Sequence, residues 1–137
     1  MKSPTIISNR SKRAFGWIGA SCLLLIVPVK ALRWTDQLIP STIIGISPSI
    51  LGPAGLLFLI LSSTSPKLAH LTLLQTTLLV GAVAIGLEFI QLLPRPGILE
   101  NVHYTFDWLD VAATLFSISL GYVLARLLIY SMRPSNE

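Results

Sequence analysis

The sequence predicts an all-α integral membrane protein with about four transmembrane helices, the second irregular or proline-kinked. Three observations carry this expectation. The chain of 137 residues is 53% hydrophobic and only 12% charged, about half the charged share of an ordinary soluble domain. Its mean hydropathy is +0.74. Uncharged stretches also recur along it at lengths that approach or reach the ~30 Å hydrocarbon core of a bilayer. The length suits a single domain over 1–137, and the high apolar content excludes a disordered chain.

The formal net charge is +4, but the basic residues form no stripe suited to nucleic acid. Lys2, Arg10, Lys12 and Arg13 precede the first apolar run, and the other six are scattered. Such a distribution carries topology, not phosphate recognition, and no nucleic-acid partner is expected. The single cysteine, Cys22, lies within an apolar run. It allows neither an intrachain disulfide nor a cysteine-based metal site.

Residues 1–13 read as a basic cytoplasmic tail with little fixed structure. The first span covers about 14–33. Ala14–Val29 is uncharged, but as a helix it extends only about 24 Å. Ala31 and Leu32 lengthen it if Lys30 snorkels, and Trp34 then falls at the interface. The rival reading is a cleavable signal peptide, with small residues on either side of Lys30.

The second span, about 42–62, is interrupted by Pro48 and Pro53 and by Gly45, Gly52 and Gly55. Either one helix runs through with a kink, or Leu38–Ser47 forms an interfacial or re-entrant piece. The third span, 71–93, is the clearest, with Glu88 its one charge and Pro94 and Pro96 after it. A polar connection follows, and the fourth span covers about 108–130.

Four spans place both termini on one side. That side holds Lys2, Arg10, Lys12, Arg13, Lys67, Arg126 and Arg133, against Lys30, Arg33 and Arg95 on the other. The positive-inside rule then sets N- and C-termini in the cytoplasm.

The chemistry concentrates between Gly86 and Gly121. Glu88, Gln91 and Arg95 recur at i, i+3 and i+7, so they share one face of the third helix. Asp107, Asp110, Thr114, Ser117 and Gly121 likewise line one face of the fourth. Antiparallel neighbours with such seams should face each other near the extracytoplasmic end. An intramembrane carboxylate is costly unless paired, hydrated or neutralised, which makes Glu88 a functional candidate. Arg95 offers a fork for phosphate or carboxylate, and Gln91 can bridge it to Glu88.

Thr114 and Asp110 complete the candidate ligand-binding set with Asp107. Asp107 is equally a helix N-cap, with Asp110 favoured in the first turn. Ser117-xxx-Gly121 and Ala82-xxx-Gly86 are small-xxx-small patterns that permit close helix packing.

Other features carry less. His70 reads as interfacial. His103, near Glu100 and Asp107, makes no recognisable metal site, so neither metal nor cofactor is expected. No serine has a base near it in the sequence, and a hydrolase nucleophile is not expected. The GPAGL stretch lacks the lysine and spacing of a P-loop.

The segment EFIQLLPRPG…FDWLDVAATLFSISLGY resembles the core of the VanZ-like membrane proteins. Their pattern is a helix ending Glu-x-x-Gln, then Pro and Arg, a short loop, and Asp-x-x-x-Asn-x-x-Gly-x-x-x-Gly on the last helix. Glu88, Gln91, Arg95, Asp110 and Gly121 match. Thr114 stands where Asn is usual and Ser117 where Gly is usual, and the family's second-helix Asp-Lys-x-x-His motif has no counterpart here. The resemblance implies a four-span bacterial membrane protein; the family's namesake is associated with teicoplanin resistance.

The reading is therefore a multi-pass protein of the bacterial cytoplasmic (inner) membrane. A polar cleft between its last two helices is expected to bind an anionic envelope-lipid or cell-wall-precursor headgroup. The alternatives are a membrane enzyme using Glu88 as acid or base, and an accessory subunit whose seams bind a membrane protein partner or a second copy.

Overall fold

The computed structural model describes residues 7–32, 41–90 and 107–132. Five helices follow in order: α1 (Asn9–Leu32), α2 (Ser41–Ser62), the short α3 (Pro66–Ala69), α4 (Leu73–Ile90) and α5 (Trp108–Ser131). No strand occurs among the described residues. α1, α2, α4 and α5 are each long and apolar enough to cross a membrane.

Local chemistry sets the helix starts. Ser8 caps α1: its hydroxyl accepts from the Ser11 N–H at 3.2 Å, and its carbonyl accepts from Lys12. The helix thus opens at Asn9, and residues 9–13 are helical where the composition suggested an unstructured tail. α3 begins at Pro66, whose fixed φ suits a first helical position. A capping box opens α4. The Thr72 N–H donates to Gln75 Oε1 at 2.9 Å, and the Gln75 N–H donates to Thr72 Oγ1 at 3.2 Å. This Thr-x-x-Gln signature starts the third span two residues later than hydropathy alone indicates. Asp107 caps α5, accepting from the Leu109 N–H at 3.0 Å.

α2 is one helix through both prolines, so Ser41–Ser47 is helical and not a separate re-entrant piece. It occupies the centre of the bundle, packing against α1, α4 and α5, while α4 and α5 also pack on each other. Glycines allow the α1–α2 approach. A Cβ at Gly19 would come within 2.8 Å of the Leu59 backbone nitrogen, and one at Gly55 within 2.8 Å of the Leu23 side chain.

The apolar core joins Phe15, Leu57, Phe58, Leu61, Val80 and Ala125, with the Phe15 and Phe58 rings 5.7 Å apart. Ile7, Leu73, Leu128 and Ile129 pack onto it. Those four come from just before α1, the start of α4 and the end of α5. The Ser11 hydroxyl also donates to Met132 Sδ at 3.5 Å. The first turn of α1 and the last of α5 therefore lie side by side, at the same end of the bundle.

Outside, the helices carry large apolar side chains such as Trp17, Leu24, Leu78, Leu87, Phe116 and Leu127. Inside, they bury Ser11, Ser49, Thr76, Thr77, Thr114 and Ser117. Small polar residues between helices and large apolar ones outward is the arrangement of a bundle solvated by lipid.

Candidate functional site

Proline chemistry in α2 builds the site. Pro53 has no N–H, so the Ser49 carbonyl, four residues earlier, lacks its intrahelical donor. α5 supplies the replacement. Thr114, fully buried, donates its hydroxyl to the Ser49 carbonyl at 3.2 Å. One turn on, the Ser117 hydroxyl donates to the Ile50 carbonyl at 2.5 Å. Pro53 and the paired hydroxyls of α5 thus fix how α2 and α5 dock.

The Ser49 side chain is the result. Its hydroxyl lies 3.1 Å from Asp110 Oδ1 and 3.3 Å from Glu88 Oε1. Three helices meet at this hydroxyl: α2 brings Ser49, α4 brings Glu88 near its last turn, and α5 brings Asp110 in its first. Ser49 is buried, and both carboxylate residues are half-buried. A hydroxyl carries one proton, so Ser49 donates to one carboxylate at a time.

Of the sequence candidates, Glu88 and Asp110 are brought together, with Thr114 one turn beneath. Asp107 is exposed and serves as the cap of α5. Gln91 and Arg95 lie outside the described residues, as does His103. Thr114 and Ser117 turn to α2, where the sequence reading faced their seam toward the third span. Gly121 packs tightly, since a Cβ there would meet Leu57 at 2.9 Å. Ala82 is exposed, and a Cβ at Gly86 would meet nothing within 4 Å.

Ser49 is the residue that sequence reasoning missed. No base adjoins it in sequence, yet two carboxylates reach its hydroxyl through space. The available signal was the Ser49–Pro53 spacing, which marks a helix carbonyl that must be satisfied from outside. Among the described residues no cluster of three or more His, Cys, Asp or Glu suits a metal ion.

The fold and site define a multi-pass membrane protein, with four helices of membrane-crossing length among the described residues and a dicarboxylate–hydroxyl centre at one end of the bundle. No protein family, curated protein or solved structure matches this chain.

Proposed function

We propose that this chain is a VanZ-like protein of the bacterial inner membrane that binds the headgroup of an anionic, lipid-linked envelope molecule. The carrying observation is the meeting of Glu88 and Asp110 at the Ser49 hydroxyl, three polar groups from three helices, two of them carboxylates. Carboxylates accept, so they suit the hydroxyls or amines of a headgroup and the guanidinium of Arg95. Arg95 follows Glu88 by seven residues in the sequence and supplies the contact to the anion. The termini lie in the cytoplasm, which turns the site outward.

The test uses the full chain in nanodiscs with a polyprenyl diphosphate as probe. Glu88→Gln and Arg95→Ala should each weaken binding at least tenfold while membrane level is unchanged. Normal binding by both variants would remove the reading.

One observation favours a second reading, a membrane enzyme. A serine hydroxyl hydrogen-bonded to a carboxylate has the contact that a base needs to activate a nucleophile. Product formed from the same probe, lost in Ser49→Ala but with binding retained, would select this reading over simple binding.

A further inference from the structure

We infer that the opposite end of the bundle binds the phosphate of an anionic phospholipid, with Arg126 of α5 as the anchoring residue. Arg126 is exposed, between exposed Leu124 and Leu127 on the lipid-facing side of α5. Ser131, the last residue of the helix, lies five positions further on, which places the Arg126 Cα about 7–8 Å inside the helix end. A guanidinium facing hydrocarbon at that depth is costly unless its stem carries it to the headgroup layer and an anion meets it there.

No counter-ion comes from the described protein. The described acidic residues are Glu88, Asp107 and Asp110, and all three belong to the other end of the bundle. The described charges at the Arg126 end are all basic: Arg10, Lys12 and Arg13 occupy the start of α1, and Lys67 lies in α3, which falls between α2 and α4 in the chain. The Ser11–Met132 contact holds the α1 cations beside the end of α5. Arg133 and Glu137 lie outside the described residues.

Sequence spacing completes the arrangement. Tyr122, Arg126 and Tyr130 recur at i, i+4 and i+8 and share one face of α5. Tyr130 is 77% exposed at the helix end, where a phenol sits at headgroup level with its hydroxyl free to donate to phosphate. Arg126 supplies a planar fork that matches phosphate in two hydrogen bonds. Charge, depth and the flanking phenol thus commit the occupant to a phospholipid in the leaflet on the side of the two termini. This inference concerns the other leaflet from the proposed headgroup site and does not depend on it.

The experiment is native mass spectrometry of the full chain released from mixed phosphatidylglycerol and phosphatidylcholine bicelles. Wild type should retain phosphatidylglycerol in excess of its mole fraction. One basic contact near an anionic surface corresponds to about a fivefold change in affinity, so Arg126→Gln should lower retention by about that factor. Arg126→Lys should fall between the two, and Lys30→Gln, at the opposite end, should match wild type. Wild type retaining both lipids in proportion to their abundance overturns the inference, even if Arg126→Gln does not fold. Retention unchanged in a folded Arg126→Gln, or lost in Lys30→Gln, overturns it as well.

Discussion

The Thr114 hydroxyl donates to the Ser49 carbonyl at 3.2 Å, filling the hydrogen bond that Pro53 removes from α2. Through this bond a helix-breaking residue becomes a docking device. The broken turn of α2 fits only where α5 presents a hydroxyl, and that fit delivers the Ser49 side chain to Glu88 and Asp110. Backbone groups freed by proline within a membrane are satisfied in this way by hydroxyls of neighbouring helices.

Thr114→Val keeps the shape of the side chain but removes the donor, leaving a buried carbonyl unpaired. The expected cost is about 1–3 kcal/mol, read as a lower midpoint in denaturation of the chain in mixed micelles. Thr114→Ser should retain most of the stability. Equal stability of the Val and Ser variants would show that the bond contributes nothing.

Two glycines should respond in opposite directions. Gly19→Ala places a Cβ against the Leu59 backbone and should cost about 1–3 kcal/mol through forced separation of α1 and α2. Gly86→Ala places one in open space within this chain and should stabilise by about 0.5–1 kcal/mol, the ordinary gain of alanine over glycine in a helix. Measured destabilisation by Gly86→Ala would instead point to a helix of another molecule packed at that position.

Asp107→Ala removes the cap of α5 and should cost about 0.5–2 kcal/mol. Asp107→Asn and Asp107→Ser should be close to neutral, because each keeps an oxygen to accept the Leu109 N–H. The same denaturation assay reads all three. A neutral Asp107→Ala would mean that the residue does not serve α5 stability.

The Ser11–Met132 contact requires both ends of the described chain to label from one side of the membrane. In a Cys22→Ser background, single cysteines at Ser8, Lys67 and Ser131 should react together with an impermeant thiol reagent only after permeabilisation. A cysteine at Asp107 should react in intact cells. The reverse pattern would keep the four spans but turn the Ser49 site toward the cytoplasm and sink the envelope-headgroup proposal.

The α5 part of the site was legible because it follows from position along a single helix. The spacing from Asp107 to Gly121 puts those residues on one face, and α5 does bury Thr114, Ser117 and Gly121 together. The capping role of Asp107 was legible too, since an acidic residue before an apolar run needs only its local backbone. The partner of the seam was not legible. Periodicity fixes the direction of a side chain about its own helix axis but not which helix lies there.

The sequence by itself determined the class of protein: apolar helices of membrane-crossing length, the shared face of Thr114, Ser117 and Gly121 on α5, and where α5 begins. These depend on composition and local hydrogen bonding, which need no neighbour. The tertiary structure alone decided that α2 is the central helix and that its buried Ser49 is the meeting point of Glu88 and Asp110. That outcome rests on long-range terms, the close approach of α1 and α2 at Gly19 and Gly55 and the carbonyl freed by Pro53. Each acquires its energy only when another helix is already in place.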